Sequence, residues 1–357
     1  MADTLLRLGK LAYRDTGAVP GSTNYTTLAI VHGFGWSNGV FRKLEPLAAQ
    51  YNARLVLINR RDFPGSEPYD ADERAELART QDGGPDAIEV MQRFMANRAH
   101  ELHDFLAAFI ARAGIPRADG ARGGLVLVGW SFGSTFVTAF LQALGALPAA
   151  HGVALRDYLR RIVLYDPPCH SLGIALPADK YHPLEDETIP PLERPLAFSR
   201  WVTGYYSHGD SPDALERRTP VADPRPSILN FAPAEFAQVF HEGPTGPGGS
   251  DLALLMAGIA SGLNARMKDD GFYPADGEDA WRDTEIRYLW CDRSVYEMPW
   301  GTWALRRELD AHRQAGRRMR NVTMVCLPGA NHFAHWDTPE RLLKALLAEK
   351  SEDVAKL

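Results

Sequence analysis

Three cysteines in 357 residues are too few to suggest a disulfide framework. Cys169, Cys291 and Cys326 are odd in number and follow no pattern, so they read as thiols kept reduced. No apolar run reaches the roughly 18 residues that argue for a membrane span, and no charged-then-apolar start marks a secretion signal. Excess positive charge is missing too. Lys and Arg number 39 against 45 Asp and Glu, a formal net charge of −6, which gives no general attraction to nucleic acid or to an anionic membrane. There is no internal repeat. What is present is 45% hydrophobic residues, enough to bury a large core as one elaborated domain or a core with a cap.

The most informative stretch is Gly129-Trp130-Ser131-Phe132-Gly133. Before it, Leu125-Val126-Leu127-Val128 is a short apolar, β-branched run that reads as a buried strand. After it, Ser134 to Leu141 continues as a buried helix. A serine between strand and helix, flanked by glycines that remove crowding Cβ atoms, describes a nucleophile elbow. A serine hydroxyl needs that exposure, because a base must reach it from one side and a carbonyl from the other.

Two further segments complete the pattern. Thr27 to Val31 reads as a strand running into His32-Gly33-Phe34-Gly35-Trp36, a loop of the kind that supplies a backbone N–H to an oxyanion hole. The expected donors are the N–H groups of Phe34 and Phe132. Near the other end, Val322 to Leu327 reads as a strand, followed by Pro328-Gly329-Ala330-Asn331-His332, which places a histidine for use as a general base. On these segments the chain resembles an α/β-hydrolase, in the order serine, acid, histidine. The resemblance implies a doubly wound, mostly parallel sheet with a large cap inserted after the sixth strand. The expected division is core 1–166, cap 167–283 and core 284–357, with the closing helix at Pro339 to Glu349. The ligand site of such a sheet lies at the carboxyl ends of its strands, where Ser131 and His332 both fall.

The 167–283 segment is far longer than the roughly 2–6 residues of an ordinary connection, so it has structure of its own. It is rich in proline and in aromatics at helical spacing, Phe198, Trp201, Tyr205 and Tyr206, then Phe236 and Phe240. A cap over the site turns some apolar surface downward, which favours a bulky hydrophobic substrate. Trp130, Trp201, Tyr205 and Phe236 are the expected substrate contacts. Gly243 to Ser250 is a glycine- and proline-rich loop that would let the cap open.

The acid that orients the histidine has two candidates. Past the seventh strand, Leu289-Trp290-Cys291-Asp292-Arg293-Ser294 puts Ser294 where this fold commonly carries a carboxylate, and leaves Asp292 two residues early. Asp166, in Leu164-Tyr165-Asp166-Pro167-Pro168 at the end of the sixth strand, occupies the family's alternative location and is preferred. Together with Ser171-Leu172-Gly173 and Trp201 to His208, that segment resembles fungal secondary-metabolite hydrolases. That group includes host-selective toxin hydrolases and the mycophenolic-acid-pathway acyl-CoA hydrolase. With the cap's aromatics, the resemblance favours a small-molecule substrate with a bulky hydrophobic acyl group, presented as a coenzyme A thioester, with an oxygen ester or lactone as the alternative. It also implies an import receptor reading Ala355-Lys356-Leu357 as a relative of the S-K-L peroxisomal signal.

Other residues carry less. His100 and His103 lie three apart on a helix without the motif of a zinc site, so no metal and no cofactor is expected. His335 lies three residues after His332, but the loop position favours His332. His32 is expected to brace its loop, and Arg60 and Arg61 to tie the loop after the fourth strand to nearby carboxylates. Arg194, Arg200, Arg217, Arg218 and Arg225 read as a solvated face with the option of meeting phosphates.

Overall fold

The computed structural model describes residues 5–81, 83–274, 279–354 and 356–357. Among the described residues there are eight strands: β1 (Leu6–Leu8), β2 (Leu11–Asp15), β3 (Thr26–Val31), β4 (Ala53–Asn59), β5 (Leu125–Trp130), β6 (Leu159–Tyr165), β7 (Glu285–Cys291) and β8 (Val322–Leu327). They form one sheet in the order β1-β2-β4-β3-β5-β6-β7-β8. The two pairings involving β2 are antiparallel and the remainder parallel. Between β1 and β2, Gly9 at φ +56° turns the chain back on itself, so the two strands pair antiparallel.

Strand periodicity sorts the core into two layers. Leu28 and Ile30 of β3, with Val126 and Val128 of β5, pack on one side of the sheet. Their neighbours Ala29, Val31, Leu125 and Leu127 pack on the other, as period-two alternation requires. The long helix Ala87–Ala113 and the post-elbow helix Gly133–Ala143 cover the second side. The closing helix Pro339–Leu347 covers the first, burying Leu342, Leu343 and Leu346.

Between β6 and β7 the chain does two things. Trp201, Tyr206 and Leu215 form a small cluster of their own with Val295, Tyr296 and Met298 of the segment after β7. Further on, the helices Ser250–Ser261 and Leu263–Phe272 give Leu254, Ala257, Leu263, Met267 and Phe272 to the main core. Among the described residues, no helix is long and apolar enough to cross a membrane.

Candidate active site

Ser131 stands at the carboxyl end of β5 with φ +54°, a left-handed conformation that a non-glycine residue adopts only where its surroundings enforce it. The enforcement is visible on both sides. A Cβ on Gly129 would lie 2.8 Å from the Gly133 carbonyl oxygen, and one on Gly133 would lie 2.5 Å from that of Val31. The strand-to-helix bend therefore closes only with glycine at both positions. The Ser131 N–H donates to the Tyr165 carbonyl at 2.9 Å, tying the elbow to the end of β6.

His332 follows β8 and is brought to the same end of the sheet. The Trp130 indole lies against its ring at 5.0 Å between centroids, and Trp130 Nε1 donates to the His332 carbonyl at 3.0 Å. Nδ1 of His332 is 2.7 Å from Oδ2 of Asp166. A carboxylate can only accept, so the proton of neutral His332 sits on Nδ1 and leaves the Nε2 lone pair free. Asp166 is fully buried and accepts two more hydrogen bonds, from the Cys291 N–H at 2.9 Å and the Ser294 hydroxyl at 2.6 Å. Three donors on one buried carboxylate leave both of its oxygens hydrogen-bonded.

The alternative acid is engaged elsewhere. Asp292 Oδ1 accepts from the Gly329 N–H at 2.6 Å, which anchors the turn before the histidine loop. Burial raises its pKa, and it makes no hydrogen bond to His332. Ser294 lends its hydroxyl to Asp166. His335 is wholly buried against Trp130, 4.4 Å ring to ring, with burial and then His332 holding its pKa well below the usual histidine value.

The loop after β3 runs over Ser131 so closely that a Cβ on Gly33 would lie 2.9 Å from that of Ser131. Phe34 and Phe132 meet edge to face at 6.0 Å. Neither backbone N–H donates to any group among the described residues, so two free donors flank the serine. His32 braces this loop as expected: Nδ1 bonds the Gly33 carbonyl at 3.0 Å and Nε2 accepts the Arg60 N–H at 3.0 Å. Burial, then Arg60, holds its pKa far below the ordinary value, so it stays neutral. Arg61 pairs with Glu101 and Glu73, as foreseen for the loop after β4. The residue that sequence reasoning passed over is Asp251, which pairs with Arg60 at 2.6 Å and also accepts the Gly35 N–H. Its only signal was a place in the first turn of an apolar helix.

The residues expected to contact substrate divide unevenly. Trp130, Trp201 and Tyr205 are buried in packing; Trp201 Nε1 donates to the Arg217 carbonyl and the Tyr205 hydroxyl to Asp337. Phe236 is left partly buried, beside Trp36, Phe231 and Phe240. That aromatic group adjoins the site through Phe333, the residue after His332. Arg194, Arg217 and Arg225 are taken up by groups of their own segment, through Ile189, Leu215 and Asn230. Of the C-terminal tripeptide, Ala355 lies outside the described residues, and the Leu357 carbonyl accepts from Arg341.

A sheet of this order, with a strained serine after β5 and a histidine after β8, defines the α/β-hydrolase class. Residues 28–345 match the model described as the alpha/beta hydrolase family, and the chain belongs to that family. No curated protein matches it. Among solved structures it is similar to a bromoperoxidase from Bacillus anthracis, at 14% identity over 95% of this chain and 94% of that one, with a TM-score of 0.49. The peroxisomal alpha-beta-hydrolase Lpx1 from Saccharomyces cerevisiae is similar at 14% identity, 99% and 85% coverage and a TM-score of 0.47. A putative aryl esterase from Burkholderia cenocepacia is similar at 16%, 97% and 94%, and 0.47.

Proposed function

We propose that this chain is a serine hydrolase of carboxylic esters and thioesters, with Ser131 as nucleophile, His332 as base and Asp166 as the acid. The observation that carries the reading is the Asp166–His332 contact, which leaves the Nε2 lone pair free to accept a proton at the end of the sheet where Ser131 stands. The Ser131 Oγ attacks the acyl carbon while its proton passes to His332 Nε2, and the carbonyl electron pair moves to oxygen, held by the Phe34 and Phe132 N–H groups. Collapse expels the alcohol or thiol, which takes the proton back from His332. Water, deprotonated by the same nitrogen, then attacks the acyl-serine, and collapse releases the acid while Ser131 Oγ takes the proton from His332. A serine nucleophile disfavours epoxide and haloalkane chemistry, which in this fold uses an aspartate.

The finer reading is a bulky hydrophobic acyl group carried as a coenzyme A thioester. The aromatic group around Phe236 and Trp36 supports the apolar acyl part. The thioester, the fungal secondary-metabolite setting and the peroxisomal address rest on the short resembling segments and on Ala355-Lys356-Leu357. The 167–283 segment acts as the cap in this reading, and an oxygen ester or lactone is the competing substrate. A thiol-release assay across aromatic and long-chain acyl-CoAs, run beside matching oxygen esters, separates the two. We expect thioester turnover that Ser131→Ala abolishes by orders of magnitude with the fold retained. Turnover of oxygen esters alone removes the thioesterase reading, and near-normal activity in Ser131→Ala removes the serine hydrolase. A binding protein on the same scaffold would fail to label with an active-site fluorophosphonate. Peroxisomal import of a fluorescent fusion, lost when Leu357 is deleted, tests the address.

A further inference from the structure

The loop that bears Phe34 is held by an ion pair whose two ends act on the two peptide units either side of that residue. Arg60 and Asp251 form a forked pair, Nη1 to Oδ1 at 2.6 Å and Nη2 to Oδ2 at 2.7 Å, with both side chains almost wholly buried. Arg60 Nη2 also donates to the Gly33 carbonyl at 2.9 Å, and Nε to the His32 carbonyl at 3.3 Å. Asp251 Oδ2 accepts the Gly35 N–H at 2.9 Å.

The Gly33 carbonyl and the Phe34 N–H belong to one planar peptide unit and point in opposite directions. Pinning the oxygen on a guanidinium therefore aims the N–H away from Arg60. A cationic donor on that oxygen also polarises the amide and strengthens its N–H as a donor. The next peptide unit, Phe34 to Gly35, is fixed at its far end by Asp251. Both planes beside the Phe34 Cα are thus set by one buried pair.

Asp251 comes from the 167–283 segment, and it does not act alone. The Gly35 carbonyl accepts the His241 N–H at 2.8 Å, and the Ser37 N–H donates to the Val239 carbonyl at 2.7 Å. A Cβ on Gly35 would lie 2.7 Å from Thr245 and 2.8 Å from the Phe240 ring. Residues 239–251 therefore grip the loop from outside as Arg60 grips it from within. A buried ion pair kept only for stability has a costly desolvation to overcome and is often matched by apolar replacements. Here its hydrogen bonds are directed at the backbone beside one residue.

We propose that Arg60 and Asp251 are positioning residues for the oxyanion donor Phe34 N–H, and that the oxyanion hole is assembled only while residues 239–251 are seated on its loop. This inference rests on the serine-hydrolase reading above. The test compares Arg60→Lys, which keeps the charge but loses the fork, with wild type, using an alkyl trifluoromethyl ketone and the corresponding carboxylic acid. Ser131 adds to the ketone to give a tetrahedral oxyanion that needs the hole, whereas the acid reports ground-state binding. Folding is followed by thermal melting. We expect the ketone Ki and kcat/KM to worsen together by about 100-fold, with KM and the acid Ki changed less than about threefold. If Arg60→Lys fails to fold, Asp251→Asn, which keeps the volume, is read by the same ratio. Ketone affinity equal to wild type, or ketone and acid affinities falling in parallel, overturns the clamp alone. A wild-type protein that forms no adduct with the ketone overturns the hydrolase reading and the clamp with it.

Discussion

Replacing Asp166 by asparagine changes one oxygen into an NH2 in a site where three donors converge. Oδ2 receives His332 Nδ1 at 2.7 Å and the Ser294 hydroxyl at 2.6 Å, and Oδ1 receives the Cys291 N–H at 2.9 Å. An asparagine must turn its NH2 toward one of these groups. Facing His332, it donates to Nδ1, moves the ring proton to Nε2 and removes the base that Ser131 needs. Facing Cys291, it opposes a buried N–H and leaves donors unsatisfied, at roughly 1–3 kcal/mol. The first arrangement lets the backbone bond survive, so the wrong tautomer is the expected outcome. Its effect on kcat in a Ser-His-Asp enzyme is about 10⁴, near 5 kcal/mol at 1.36 kcal/mol per decade. Asp292→Asn breaks or weakens only the bond from Gly329 N–H, for roughly 1 kcal/mol and under about tenfold in kcat/KM. Initial rates on a p-nitrophenyl ester, with circular-dichroism melts of both variants, decide between them. Asp166→Asn within tenfold of wild type, or a larger loss in Asp292→Asn, refutes the assignment.

Two further outcomes follow from the packing. Glu297 is buried beside His170 at 3.9 Å, and desolvation pushes its pKa from 4.5 up to about 7. The folded state then binds the proton more tightly than the unfolded chain, so the stabilisation is full below pH 4.5 and lost as pH rises through 7, to the extent of about 3 kcal/mol. Glu297→Gln should gain stability over wild type between pH 5 and pH 8 in urea unfolding, and a gain that does not vary with pH contradicts this. Gly33→Ala would put a methyl group 2.9 Å from the Ser131 Cβ and 3.1 Å from the Trp130 ring, so the loop must lift off Ser131. A loss of kcat of about 100-fold or more is expected, and unchanged kinetics with an unchanged melting temperature would show that the loop has room.

Much of this arrangement was legible because local chemistry and global fold agree in these segments. The β-branched run before Ser131 is a strand with both faces buried, the continuous apolar run that a doubly covered parallel sheet demands, while the run before His332 is the edge strand, with Val322, Val325 and Leu327 buried. Glycines at 129 and 133 mark the elbow through sterics alone. The helix Ala71–Thr80 was not legible from periodicity, since Leu77 and Thr80 are its only buried residues, although Asp70 and Glu73 form a capping box. Asp251 was invisible for a different reason. Its partner lies 191 residues away, and no spacing rule connects a carboxylate after a glycine-rich loop with an arginine after β4. The fate of Trp201 and Tyr205 was equally beyond reach. A stripe at helical spacing says that a face is apolar, but not whether a neighbouring segment or a substrate covers it.

The position of the acid shows how two separate sequence facts become one physical fact. β6 and β7 are neighbours, with Tyr165 in register with Leu289, so the residues just past each strand emerge side by side at the same edge. A carboxylate from either can reach the same imidazole nitrogen. Both at once would set two buried negative charges against each other, and one would have to be protonated or move away. With Asp166 present, the position past β7 must carry a donor, and Ser294 meets that need with its hydroxyl 2.6 Å from the carboxylate. The serine that looks like a defect in the usual pattern is therefore what a β6 acid requires. Ser294→Asp alone should be worse than Ser294→Ala, because it adds repulsion where the alanine only removes a hydrogen bond. Moving the acid would require Ser294→Asp together with Asp166→Asn or Asp166→Ser, and recovery of activity in that double variant above either single change would confirm that the two positions share one site. Failure of the double variant to exceed Asp166→Asn would show that the left-handed backbone at Asp166, φ +48°, aims the carboxylate in a way that the β7 loop cannot reproduce.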